Sequence, residues 1–559
     1  MYTRRKILGA GAAVLAMIAL LIPMTKLLGI GQEEELDTAS MVEPMLNLLA
    51  VSPQYQAKTP VEPMIELEDA WAIEDTREES WEEPLVVGMR NGLSELGYDS
   101  ASQTFYCTTG MDGSDDWPEL ELYAQAAMGK ENLRVAWIDD YSYDYRTDAV
   151  REGYRYELLA YTDTEYAYFG IVFTGLPIVT LHVDGGNDAL GEEYAPARAA
   201  IAGAGYEAVN TASLAHLRGG GFVREYPKWS FRLEFHMLTV HGDDKNLQSV
   251  LGMPADSDWI LIANSADPTC ARNELAWGLW RDWNADGNAF MIQQSRMVEV
   301  FLNDEYVGLY QIMQRINPET ELMRMGGNIN TDYVTRVIKD LNIEKRPVLD
   351  MMDRVGFWAE LRYAPLGVSS KKAFEKFEPY WQMNAFTGEL TDEEFIQLAA
   401  RHTDVRELME YYLFVQAAGL GFDNVYNNVY MWALRENGRY VYHCSPWDMD
   451  MAFTPILGGD LLNLFAEQPV RMLNLDVADC RQVMHEIWRE KRGTIITDDA
   501  MYQRIQDFED MINASGAYLR ESERWQGGAQ ELNLAEINAY ATQHLHEIDS
   551  MIEQMWPVQ

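Results

Sequence analysis

The sequence predicts an α+β chain: a strand-rich lobe followed by a helical lobe, preceded by a small β-sandwich-like module and an N-terminal membrane segment. Three observations carry this. Arg4, Arg5 and Lys6 precede an apolar run from Ile7 to Met24, about the length a bilayer requires. Short aromatic and β-branched runs, separated by Gly, Asp and Asn, follow between residues 96 and 175. Beyond residue 176 strand signals come first and long helical patterns come later, the order of an α+β domain.

The elements divide as follows. Residues 1–30 form a signal or membrane anchor whose basic flank stays cytoplasmic, so the rest lies outside. This places the chain as a single-pass protein of the cell membrane with its later domains extracytoplasmic, or as an exported one. Residues 31–95, rich in Glu, Pro and Met, read as an acidic linker. In 96–175, strands are expected at 104–108, 133–138, 154–159 and 166–173. Residues 176–559 open with strands at 177–183, 230–235 and 297–302, then a hairpin through Asn303 and Asp304. Helices are expected at 392–401, 404–418, 479–489, 499–514 and 534–555, with Asp404, Asp499 and Asn533 as N-caps.

The chain has 559 residues, 44 basic against 88 acidic, for a net charge of -44. That balance argues against binding nucleic acid through its phosphates and fits a basic, Ser-rich polypeptide partner. Cys107, Cys270, Cys444 and Cys480 contain no C-x-x-C pair, which argues against a zinc knuckle; free buried thiols are preferred over disulfides.

The chemistry is sharpest at Gly421-Phe422-Asp423-Asn424-Val425-Tyr426-Asn427-Asn428. Asp423 and Asn428 have the Asp-x-x-x-x-Asn spacing of a kinase catalytic loop, where the Asp takes the proton of an attacking hydroxyl and the Asn meets a metal. Residues 429–442 read as a hairpin turning near Asn437-Gly438, which returns the chain to Asn428 and delivers Asp448 and Asp450. Strand alternation would set both carboxylates on one face, as a Mg2+ or Mn2+ site. Upstream, Arg218-Gly219-Gly220-Gly221 is a glycine-rich turn followed by Lys228 and Arg232, a combination suited to phosphate.

These stretches together resemble the CotH (spore coat protein H) kinase family. The resemblance runs through residues 217–220, 228–233, 259–267, Arg272-Asn273, 299–310, 423–428 and 447–450. It implies an atypical protein-kinase-like domain that uses ATP with Mg2+ or Mn2+ to phosphorylate Ser or Thr of a protein, spore coat proteins being the family's substrates. By position it implies Asp423 as base, Asn428, Asp448 and Asp450 as metal ligands, and Lys228 and Arg232 as cations of the nucleotide-binding lobe. Arg218 and Arg272 match family positions without an assigned role. Gln314 stands where the family carries an acidic residue, which implies lowered or lost activity if that acid orients a lysine or metal. Two other readings stand beside the kinase: a non-catalytic envelope or spore-surface protein on the same fold, and a metal-dependent hydrolase built on Asp423, Asp448 and Asp450.

Overall fold

A computed structural model describes residues 38–558 apart from 81–82, 142–144, 220–225, 239–243, 286–291, 339–347, 351–357, 385, 421–423, 425–427 and 455–466. Among the described residues the mixed α+β architecture contains three sheets.

The first sheet has ten strands between Thr59 and Thr174. It is one continuous mixed sheet rather than the expected sandwich of two. Thr59–Glu62 runs parallel to Arg134–Trp137, and Thr104–Thr108 runs parallel to Glu165–Thr174. The sheet curls around a single core that includes Phe105, Trp137, Leu158, Ile171 and Phe173. Thr59–Glu62 and Val86–Asn91 belong to it, although composition placed both in the acidic linker. Every second residue of so short a strand can bury while its neighbours stay acidic, so composition does not reveal it.

The second sheet has eight strands from Ile178 to Gln314. Val209–Arg218 pairs with both Ala195–Ala202 and Ser230–Met237, which closes seven of the strands into a ring. Val179, Leu181, Phe231, Leu233, Phe235, Leu261 and Ile312 fill its interior. Alternation therefore turns Ser230, Arg232, Glu234 and His236 outward. The hairpin Ser295–Leu302/Glu305–Gln314 turns at Asn303 and Asp304, both at positive φ (47° and 62°), the conformation that matches strand twist in a two-residue turn.

The third sheet is antiparallel, in the order Val348–Asp350, Trp358–Tyr363, Tyr333–Ile338, Val429–Glu436, Arg439–Pro446. Its last two strands are the expected hairpin around Asn437-Gly438. A large core unites this sheet with the helices, including Trp277, Trp280 and Trp283 of Arg272–Trp283.

The expected helices appear within a few residues as Asp392–His402, Val405–Ala417, Cys480–Arg492, Asp498–Ala514 and Ala535–Met555. Asp404 caps its helix by accepting from Glu407 N–H. Thr497 rather than Asp499 caps Asp498–Ala514. Asn533 accepts from Ala535 N–H, although the cap residue itself is Leu534. A further helix, Ala517–Gln526, lies outside the five expected ones and buries Ala517, Tyr518, Glu521 and Ser522. Among the described residues no helix is long and apolar enough to cross a membrane, and the run 7–24 lies outside them. All four cysteines are free; burial pushes the Cys107, Cys444 and Cys480 thiols up to about 12, which leaves them unreactive near neutral pH.

Candidate active site

The hairpin brings Asn428 and Asp448 to one place. Val429 pairs with Pro446, and Trp447 N–H donates to Asn428 O at 2.9 Å. Fully buried Asn424 locks the crossing: its Nδ2 donates to Trp447 O at 2.8 Å and to Asn428 O at 3.2 Å, while Tyr411 OH donates to Asn424 O at 2.6 Å. Asp423 and Gly220 lie outside the described residues.

The stretch after Pro446 is not a strand. Asn428 and Asp448 both sit in the left-handed region (φ 49° and 56°), which Asn and Asp tolerate better than other side chains. The alternation expected to align Asp448 with Asp450 therefore does not apply, because the ladder ends at Pro446. The helix Arg272–Trp283 holds the turn instead. Asn273 Oδ1 accepts from Met449 N–H at 3.0 Å, and the Arg272 guanidinium donates to Ala452 O at 2.8 Å and to Phe453 O. Arg272 and Asn273 thus fix the backbone of the carboxylate turn.

The cation facing this turn is Arg218, at the end of Val209–Arg218. Its guanidinium lies 5.1 Å over the Trp447 ring and feels the charge of Asp448. Burial holds its pKa below the usual value despite Asp448, with Arg336 and Arg315 adding repulsion. Gly219 follows it at φ 116°.

Lys228 is engaged elsewhere. Its ammonium donates to Glu521 Oε1 at 2.7 Å and Leu309 O at 2.6 Å, approaches Cys270 Sγ at 3.9 Å, and lies 4.7 Å from the Tyr310 ring. Three donors are all that an ammonium has. Glu521, from Ala517–Gln526, also accepts from Leu309 N–H at 2.7 Å. Both charged side chains are nearly sealed, at 5% and 4% exposure. Gly308 makes room: at φ 119°, a Cβ there would stand 2.3 Å from Glu521 Oε2. Gln314 lies apart from this pair and donates to Pro254 O at 2.9 Å.

Arg232 also has protein partners, donating to Asp258 Oδ1 at 2.9 Å and Glu234 Oε2 at 3.3 Å. Asp258 is shared with Lys245 (3.0 Å) and Arg315 (3.6 Å). Burial works against its charge, yet these cations hold its pKa below the usual carboxylate range. Across from them, on the five-stranded sheet, Glu360 pairs with Arg336 at 2.9 Å and Arg362 at 3.1 Å. Tyr430 stands between, the cross-strand partner of Arg336 and a ring neighbour of Trp447.

Asn428, Asp448 and Asp450 offer hard oxygen donors, the chemistry that suits Mg2+ or Mn2+. The Trp447–Asn428 bond draws together the two ends of the hairpin, where Asn428 and Asp448 stand just outside the strands, so the residue types present fit such an ion. Among the described residues no group of three or more His, Cys, Asp or Glu could hold a metal.

No curated protein matches the chain. The family model described as CotH kinase protein matches residues 215–554, more than half of the sequence, from the strand bearing Arg218 through the final helix. With that match over the later strands of the ring, the hairpin and the helical core, the chain belongs to the CotH kinase family.

Proposed function

We propose that the chain transfers the γ-phosphoryl group of ATP to a Ser or Thr hydroxyl of a protein. The observation that carries this reading is the meeting of Arg218 with the Asn428–Asp448 crossing. A buried cation, 5.1 Å over the Trp447 ring, stands beside the oxygen donors at both ends of the hairpin, at the start of a glycine-rich turn. Arg218, Gly219 and Gly220 are assigned to the phosphates. Asn428, Asp448 and Asp450 hold the divalent ion, which when bound neutralises charge on the transferring phosphoryl group. Asp423 accepts the proton of the attacking hydroxyl. Lys228 serves through its pair with Glu521, which sets the sheet and Ala517–Gln526 against each other; Glu521 supplies the acid that Gln314 does not. Arg232 positions Asp258. The N-terminal run 7–24 holds the domain outside the cytoplasmic membrane, or directs it to the spore or envelope.

Calorimetry with Mg-ATP and transfer of labelled phosphate to a Ser-containing peptide test the assignment. Micromolar Mg-ATP affinity and labelling lost in Asp423→Ala and Asp448→Ala are expected. Absence of Mg-ATP binding would favour the non-catalytic envelope protein, the reading that Gln314 supports.

A further inference from the structure

A cavity of about 340 Å³, partly open to solvent, lies outside the site already described. It sits between the helices Arg272–Trp283 and Val405–Ala417 and the edge strand Arg439–Pro446. A water-sized group can place its centre within about 20 Å³ of this space, which is room for one such group. Trp280, Tyr411 and Tyr442 supply ring walls, and Glu407, Glu410 and His443 supply titratable groups. Glu407, Glu410 and Tyr411 are spaced three and four residues apart along Val405–Ala417, which sets them on one helix face.

The donors around this space already have acceptors. Tyr411 OH donates to Asn424 O at 2.6 Å, Tyr442 OH to Lys376 O, and Asn284 Nδ2 to Trp280 O at 2.8 Å. The carboxylates have capacity left, since each can accept about four hydrogen bonds. The bond between His443 Nδ1 and Glu407 uses one of that residue's oxygens, Oε2. Glu410 is nearly sealed, with 6% of its side chain exposed, and its ion pair is with Arg406 Nε, 3.1 Å from Oε1. Arg406 is 42% exposed, also reaches Glu490 at 3.1 Å, and does not line the cavity. Lys491 is turned to Trp283 O at 2.9 Å. Burial holds the Glu410 pKa above the usual carboxylate range against Arg406 and Lys491, with Glu490 and Glu407 adding to the rise. Those two cations therefore do not offset the cost of burying the carboxylate.

Carboxylate acceptors beside aromatic walls, in a space that admits one water-sized group, match an ammonium ion. It brings three donors and is attracted to ring faces. A divalent cation asks for more oxygen ligands than the two carboxylates supply. We propose that this cavity binds the ammonium head of a primary alkylamine, held by Glu407 and Glu410 between Trp280, Tyr411 and Tyr442, with the alkyl chain in the part open to solvent. Tyr411 gives the site its position in the molecule. The same side chain that walls the cavity bonds Asn424, and Asn424 bonds Asn428 O and Trp447 O. An occupant therefore stands one residue away from the hairpin crossing.

Calorimetry and thermal melting of the full-length protein with n-butylammonium chloride test the site. Potassium chloride, tetramethylammonium chloride and n-butanol, at matched ionic strength, are the comparisons. Butylammonium should bind saturably and raise the melting temperature, at least tenfold tighter than any of the other three. Glu410→Gln should weaken it at least tenfold; this variant keeps the side-chain shape and leaves Arg406 its partner Glu490. Glu410→Asp should retain part of the affinity. Glu407→Gln should weaken binding in the same direction, and the melting temperature of each variant without ligand shows that it is folded. Potassium binding as tight as butylammonium overturns the proposal in favour of a simple cation site. Butanol binding as tight overturns it in favour of an apolar pocket. Undiminished butylammonium binding in both Gln variants also overturns it. None of these measurements involves ATP, so the result stands apart from the kinase reading.

Discussion

Two cationic sites on the same ring of strands are built in opposite ways. At Lys228 the protein supplies every acceptor: one carboxylate, one carbonyl, one sulfur and one ring, with 5% of the side chain exposed. Beside Arg218, the guanidinium groups of Arg232, Arg315, Arg336 and Arg362 share carboxylates, Asp258 between the first two and Glu360 between the last two, and keep 18–29% of their side chains exposed. A saturated cation has nothing left to offer a ligand and acts as a lock. A shared and partly exposed one keeps charge that an anion can still meet. Spacing from the glycine turn points equally to Lys228 and Arg218; partner geometry separates them.

The contrast can be broken in several ways. Largest, Asp423→Ala should lower phosphoryl transfer by about 10²–10⁴-fold, and Asp448→Asn should act in the same direction, with melting temperature nearly unchanged. A large loss of stability in Asp448→Asn would mean that the open site is also a lock. Next, Lys228→Met should destabilise the fold by about 3–5 kcal/mol, because it leaves Glu521 buried without its cation. The double variant Lys228→Met/Glu521→Gln should recover part of that loss in denaturant titrations. Equal stability of single variant and wild type would show that Lys228 is not locked.

A smaller effect follows from His216, which borders the arginines. Burial, with Arg232, Arg315 and Arg218 nearby, pushes its pKa down to about 4, with the Leu217 carbonyl opposing. The folded protein therefore refuses a proton that the unfolded chain accepts below about 6.5. Stability should fall as pH drops from about 6.5 toward 4, by at most about 3 kcal/mol from this group. His216→Phe should flatten that part of the thermal-melting profile. Smallest, Arg524→Ala removes an ion pair to Glu305 whose side chains are both 38% exposed, and should change stability by less than about 1 kcal/mol.

Much of this contrast was hidden in the sequence, for physical reasons. The hairpin 429–446 was legible because Asn437-Gly438 sits between two runs rich in aromatic and β-branched residues. Five long helices were legible from apolar period. Ala517–Gln526 is short and mostly polar, and the face it buries includes Glu521 and Ser522. The partner of Lys228 lies 293 residues downstream of the lysine, beyond the reach of any local motif. Arg315, Arg336 and Arg362 belong to no local motif; cross-strand pairing assembles them. One usable signal was present in Ser230-Phe231-Arg232-Leu233-Glu234-Phe235, where polar and apolar residues alternate. The strand had to have a polar outer face, but what lay opposite it was not readable. Asp448 and Asp450 were assigned to a strand because nothing in Trp447-Asp448-Met449 announces a left-handed turn.

The reach of Ala517–Gln526 sets the timing of folding. Glu521 answers Lys228, and beside it Arg520 answers the fully buried Glu299 through paired bonds of 2.7 Å. Both counter-charges come from a helix near the end of the chain, while the strands that need them are made early. At about 5–20 residues per second, the stretch separating Lys228 from Glu521 takes roughly 15–60 s to synthesise. During that interval Lys228 and Glu299 lack the counter-charges that accompany their burial. A chain cut off before residue 517 should therefore be markedly less stable than the full chain, because it leaves both charges unpaired.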